Sequence, residues 1–377
     1  MEFANETSRH SALALSPEFP EQVLCPPYEM RDEISWIDFS GTDNPFGMPQ
    51  SFNDAIVSAF KNGIASYLPD REAHTLRSVL ARTFGMPVES FLVGSTVSNM
   101  ISAVAQAFEP GVVGVSMPCP IEYIITLSNL GHSIERISVP ATFVTPHADA
   151  LEAQGMRIDA ALLANPSYPT SRLLSKSTLL SYLDMCEWVI VDERSIELTL
   201  GGESMAPLVR EHDNLIVIQS FSEQYAMPGV HVSYCIAQPD TIAHLAQFFD
   251  NTCVSMFAEV LAEPSAIEHP RLDSVRAFLD SEIPWMQCML SLIPGIDIFP
   301  AEANYVMCTY HNGDGMKLAV DDVNQLSSLL QLEGFLVRKL AGTPGLKPNG
   351  YFCVAVRTRQ ENEKLIAALR RIISPSS

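Results

Sequence analysis

The sequence predicts an α/β fold with a large domain built on a mostly parallel seven-stranded sheet and a smaller C-terminal α/β domain. Three observations carry this. From residue 90 onward short apolar runs alternate with helical segments, the rhythm of parallel strands joined by crossover helices. The 377 residues exceed what one compact unit usually holds, so two domains are expected. Hydrophobic residues make up 47% and charged residues 18%, without a long polar low-complexity run, which is the balance of a globular chain.

The first 35 residues mix Ser, Glu and Pro and read as an N-terminal arm. The large domain is assigned to 36–275. In it FLVG (91–94) precedes a helix at about 96–108, and GVVGVSMP (111–118) precedes another near 120–131. SIERISV (133–139), DAALLANP (159–166), WVIVDE (188–193), NLIVIQS (214–220) and HVSYCIA (231–237) supply the remaining strands. Residues 240–285 read as long helical stretches linking two lobes. The small domain, 276–377, holds IDIFPAEANYVMCTY, the helix VNQLSSLLQLEG, the strands FLVRKL and GYFCVAVRT, and the closing helix ENEKLIAALRRII; the N-terminal segment is expected to pack on it.

Acids outnumber bases by 44 to 23, a net charge of −21 that repels phosphate backbones and anionic lipid. Nucleic-acid and membrane-surface roles are therefore disfavoured. No apolar run is long enough to span a bilayer, and MEFANETSRH lacks the basic-then-apolar order of a signal peptide, so a cytoplasmic location is expected. The cysteines (Cys25, Cys119, Cys186, Cys235, Cys253, Cys288, Cys308, Cys353) show no CxxC spacing and the histidines no HExxH. Buried reduced thiols and no structural metal are the expectation.

Open α/β sheets place their chemistry at the carboxyl ends of strands. That rule singles out Gly94 to Asn99, Pro118 to Tyr123, Asn165 to Ser171, Asp192 to Ser195 and Ser220 to Glu223 as loops facing one cleft. Along the chain stand, in order, IDFSGTDNPFGMP, YLPDREAHTLR, NPSYPTS, WVIVDERS, SFSEQYAMPGVHVSY, and the pair FLVRKL and FCVAVRTRQEN. Together, from about residue 36 to 373, they resemble the fold type I pyridoxal-phosphate aminotransferases, in particular the histidinol-phosphate aminotransferase and threonine-phosphate decarboxylase branch.

The resemblance implies roles residue by residue. Asp43-Asn44-Pro45-Phe46-Gly47 matches N-E-N-P-[YF]-G. Tyr67 would be offered across a dimer interface, and a homodimer is implied. Asp192 holds the place of the aspartate that pairs with the protonated pyridine nitrogen. SFSEQYAMPGVHVSY matches S-F-S-K-A-Y-G-L-A-G-L-R-x-G-Y without a gap, keeping Ser220, Ser222, Tyr225, Gly229 and Tyr234. Arg338 is one of the family's pair of substrate-binding arginines.

Departures from the pattern cluster at the same loops. Glu223 stands where the family has its Schiff-base lysine, and His231 where it has a phosphate-binding arginine. Tyr168 replaces the asparagine of N-P-N-N-P-T-G and Ser171 its glycine. Pro120 replaces a ring-stacking tyrosine, Thr96 a glycine, Ser195 the tyrosine of D-E-A-Y, and Cys353 the second arginine. A carboxylate cannot condense with the cofactor aldehyde, and a negative charge beside an anion site weakens phosphate binding. These changes lead to the expectation of no tightly bound pyridoxal phosphate, with pyridoxamine phosphate as the remaining cofactor reading.

The functional expectation is a cofactor-independent enzyme acting on an amino-acid-like small molecule by proton transfer, elimination, cyclisation or hydrolysis, in a specialised biosynthetic pathway. Glu223 serves as general acid or base with His231 as partner and Asp192 beside them. Asn44, Tyr67, Tyr168, Ser195, Ser220, Ser222, Arg338 and Cys353 form the candidate substrate contacts. Plainer readings stand beside these: a Glu223–His231 ion pair filling vacated space, Cys353 as core, and Arg338 as a salt-bridging residue. The alternative from another class is a non-catalytic subunit that supports an active paralogue.

Overall fold

Twelve strands organise the computed structural model, which describes residues 36–140, 142–312 and 318–374. In chain order they are β1 (Ile37–Phe39), β2 (Phe91–Gly94), β3 (Val112–Ser116), β4 (Ser133–Ile137), β5 (Ala160–Ala164), β6 (Trp188–Asp192), β7 (Leu215–Ser220), β8 (Ser233–Ile236), β9 (Ile296–Ile298), β10 (Tyr305–Tyr310), β11 (Phe335–Lys339) and β12 (Tyr351–Ala355). The large sheet has the order β2-β8-β7-β6-β5-β3-β4. Its pairs from β4 through β7 are parallel, and β8 alone runs against both neighbours. Every residue of β6 and β7 is buried, as strands covered by helices on both faces must be. The expected seven strands are those observed.

The small sheet has the order β1-β11-β12-β10-β9. Its edge strand comes from the beginning of the described chain: β1 runs parallel to β11 with Ile37 opposite Phe335. The N-terminal arm 1–35 lies outside the described residues. The helix Leu272–Ser291 runs straight through residue 275, where the boundary between the domains is assigned.

Polar side chains stitch the lobes where backbone would otherwise be left unpaired. Asn304, fully buried, donates to the carbonyls of Thr42 at 2.8 Å and Asp43 at 3.0 Å. Ser171 has a φ of 61°, the left-handed region that glycine adopts at no cost. Its hydroxyl offsets that cost by accepting the Ala303 amide at 2.6 Å and the Glu302 amide at 3.1 Å. The departure from glycine at this site therefore ties the loop after β5 to the small lobe. Thr96, another departure, caps the helix Val97–Gln106 by accepting the Asn99 amide at 3.1 Å.

Among the described residues no helix is long and apolar enough to cross a membrane, and no group of three metal-ligating side chains gathers. The thiols of Cys119, Cys186, Cys235, Cys308 and Cys353 are free and buried, that of Cys288 free and exposed; Cys25 lies outside the described residues.

Ala226 sits at φ 51° where the resembling motif has glycine, and no hydroxyl relieves it. Ala226→Gly is expected to stabilise the chain by about 0.5–1 kcal/mol, read as a higher urea midpoint at unchanged slope.

Candidate functional site

The carboxyl ends of β6 and β7 put Asp192 and Ser220 on one side of the large sheet, and the short helix Phe221–Gln224 follows directly. The Ser220 hydroxyl caps that helix by accepting the Ser222 amide at 3.1 Å. Glu223 is presented from its third position. The loop before the first helix is pinned against it: the Asn44 amide donates to the Glu223 carbonyl at 2.9 Å, and Asn44 Nδ2 to the Gln224 carbonyl at 3.0 Å. Asp43 is thereby held beside Glu223. The helix Ile121–Asn129 adds Glu122 and Tyr123, the loop after β5 adds Tyr168, and the small sheet adds Tyr305 from β10 and Arg338 from β11. These residues enclose a cavity of about 260 Å³ between the sheets.

Asp192 does not stand free in that cavity. It is 2% exposed, and Arg194 grips it through Nε at 2.9 and 3.2 Å and Nη2 at 2.5 Å, with the Arg194 amide adding a bond at 3.0 Å. The Tyr123 hydroxyl also donates to it. Burial and the neighbouring Asp192 charge hold the Tyr123 phenol well above its ordinary range, so it stays protonated as donor. Arg194 was not among the residues expected at the site. Its signal was present, since a base two positions after a strand-end acid, where D-E-A-Y has alanine, is placed to pair with it.

Glu223 differs from Asp192 in lacking such a clamp. Burial raises its carboxyl above the usual range, while the Arg194 charge and a bond with the Ser220 hydroxyl pull the other way. Its Oε2 is buried and has no hydrogen-bond partner among the described residues. Asp43 is pushed up to about 7 by burial first, then by the charges of Glu223 and Asp38, against the opposing charge of Arg357. Glu193 faces away from the cavity. It accepts from Ser204 at 2.6 Å, the Met205 amide at 2.7 Å, Gln219 at 3.0 Å and Asn165 at 3.1 Å, yet burial still takes it up to about 7.

Of the expected residues, Asp192, Glu223, Tyr168, Ser195 and Arg338 meet at the cavity. His231 does not. It is exposed just before the buried Val232, outside the strand β8, and neither a hydrogen bond nor an ion pair joins it to Glu223 among the described residues. The acid-base partnership expected of the two is corrected on that geometry, and so is the ion-pair alternative. Cys353 lies in a small buried cluster with Tyr305, Met307 and Leu340, behind the cavity wall, and burial pushes its thiol up to about 12. It is core. Asn44, Ser220 and Ser222 shape the turn that carries Glu223, the Ser222 hydroxyl reaching the Val230 carbonyl at 3.4 Å, and none lines the cavity. Tyr67 is 73% exposed and away from its own chain's cavity.

The family model of aminotransferase class I and II matches residues 34–369. The chain belongs to that family. Threonine-phosphate decarboxylase of Salmonella typhimurium is 27% identical over 344 residues, covering 90% of this chain and 91% of the relative. Histidinol-phosphate aminotransferase of Nicotiana plumbaginifolia is 27% identical over 361 residues, covering 94% and 83%. Among solved structures, the histidinol-phosphate aminotransferase of Clostridium acetobutylicum superposes with a TM-score of 0.78 at 22% identity, covering 89% of this chain and 98% of that one. The L-threonine-O-3-phosphate decarboxylase of Porphyromonas gingivalis gives 0.76 at 21%, covering 88% and 98%. The expected fold class is thereby established.

The expectation of a chain without a cofactor is corrected by the same findings. A match over residues 34–369 to an aminotransferase family, and to relatives named for decarboxylation and transamination, speaks for the pyridoxal group of that family. The cavity meets such a group in one respect, because Asp192 stands at the end of β6 where a ring nitrogen would be received. In another it does not: among the described residues no lysine lines the cavity, and a carboxyl, Glu223, stands in the lysine's place. No chemical step is derived through the group.

Two outcomes follow from the electrostatics. Arg194→Met strands the Asp192 carboxylate and is expected to cost roughly 3–5 kcal/mol in urea unfolding, most of which Asp192→Asn recovers in the double variant. Asp43 carries a folded pKa of about 7 against an ordinary 3.8, so folding takes up a proton between those values. Stability therefore falls as pH rises from about 4 towards about 7, and Asp43→Asn, neutral throughout, should raise the melting temperature at about pH 8 more than at about pH 5. Glu193 contributes a slope of the same sign that remains in the variant.

Proposed function

We propose that this aminotransferase-family chain is an enzyme that acts on a small amino-acid-like molecule in the cavity between its sheets, with Glu223 moving the proton. The observation that carries the reading is Glu223 itself, which lines the cavity and whose Oε2 is buried and unpartnered among the described residues. A carboxyl group raised by burial exchanges its proton closer to neutral pH than an exposed one, which is the property a general acid or base needs. Arg338, which makes no ion pair among the described residues, offers a planar fork to a carboxylate or phosphate in the same cavity. Asp192, held by Arg194 and Tyr123, positions the wall. Tyr168 and Tyr305, ring centroids 5.6 Å apart, close the cavity towards the small lobe and limit water.

The names of the relatives, a threonine-phosphate decarboxylase and a histidinol-phosphate aminotransferase, support a substrate with an amine and an anionic group. Assembly as a homodimer is part of the proposal. Tyr67 and Leu68 are 73% and 82% exposed on one short connection, an apolar surface suited to a second copy.

The test is turnover of a panel of amino acids and amino-alcohol phosphates, followed by mass spectrometry with and without added pyridoxal phosphate. Glu223→Gln is expected to slow conversion of any accepted compound by roughly 10²-fold or more. An unchanged rate in a variant that unfolds like the parent removes Glu223 from the chemistry.

A further inference from the structure

Four acids, Asp43, Glu122, Asp192 and Glu223, face the cavity with two bases, Arg194 and Arg338. Arg194 is committed to Asp192 and lies 4.0 Å from Glu122. Asp43 and Glu223 are left facing a cavity whose remaining base is Arg338. The backbone bond of 2.9 Å from Asn44 to Glu223 joins the two segments that carry these acids, and the buried Oε2 of Glu223 still lacks a donor among the described residues.

We propose that the cavity binds a zwitterion with a primary ammonium group, the ammonium held between the Asp43 and Glu223 carboxylates and the anionic end on Arg338. This rests on the reading of the cavity as the substrate site. An ammonium has three N–H donors and no acceptor, so it can supply Glu223 Oε2 and Asp43 together, which a neutral hydroxyl cannot do with the same charge balance. Two neighbouring acids cannot both ionise cheaply in the empty cavity and retain a proton between them. An arriving cation takes the place of that proton. Binding therefore releases a proton and tightens as pH rises. The groups acting on the pair are Asp38 and Arg357 beside Asp43, and Arg194, Asp192 and the Ser220 hydroxyl beside Glu223. Glu122, Tyr123, Tyr168, Tyr305 and Arg338 complete the titratable lining.

The experiment is isothermal titration of the full chain with the ω-amino acids from β-alanine to 6-aminohexanoate, each against the carboxylic acid and the alkylamine of the same length. One length is expected to bind about tenfold more tightly than either matched compound, and its affinity to rise about tenfold between about pH 6 and about pH 8. Asp43→Asn should abolish that rise. The subsite is overturned when no ω-amino acid binds more tightly than its carboxylic acid, or when Asp43→Asn keeps both affinity and pH profile. Should that variant not fold, proton release by the parent, measured in two buffers of different ionisation heat, decides the matter, and zero release overturns it. Loss of turnover in Glu223→Gln together with an unaltered Asp43→Asn profile rejects the ammonium subsite alone; unaltered turnover in Glu223→Gln rejects the underlying reading of the site.

Discussion

A carboxylate buried at the end of a parallel strand must find a positive partner or lose its charge, and the cavity is arranged around the way Asp192 meets that demand. Arg194 closes on it from two residues along the same chain, and Tyr123 reaches it from the facing helix. The pair neutralises the floor of the cavity. It also sets the character of everything nearby, because Arg194, once engaged, only partly offsets the acids around it. Burial raises Glu223 and Asp43 first; the Asp192 charge adds to it at Glu223, and the charges of Glu223 and Asp38 add to it at Asp43.

The same economy of buried polar groups holds the lobes together. Asn304 takes up two carbonyls of the loop that carries Asp43, and Ser171 takes up two amides of the segment leading into β10. The side chains that define the cavity therefore rest on both sheets, and their spacing depends on bonds between lobes. A loop that faces the cavity from one lobe is fastened by the other.

Much of the frame was legible because it follows from local pattern. Apolar runs such as WVIVD and LIVIQS read as strands because a strand covered on both faces needs no polar alternation, and their ends located Asp192 and Ser220. Motif order located the family. The fine structure of the site was less legible. Spacing along the chain suggests His231 as a partner of Glu223, whereas in the fold His231 is exposed ahead of β8. Cys353 was given to the cavity, but its strand faces it into the cluster behind Tyr305. Arg194 stands two positions after the strand-end Asp192, and the turn after β6 closes the pair.

The sequence by itself determined the seven-stranded sheet, the order of its loops, the acid at 223 and the membership of an aminotransferase family, because periodicity and motif order are properties of the chain read in one dimension. The tertiary structure decided which of the ionisable residues share one enclosure. Burial and distance set that, and both arise only when β6, β7, the loop at Asp43 and the small sheet are brought around the same space. It placed Arg194 on Asp192, left Glu223 without a donor beside Asp43, and sent His231 and Cys353 elsewhere.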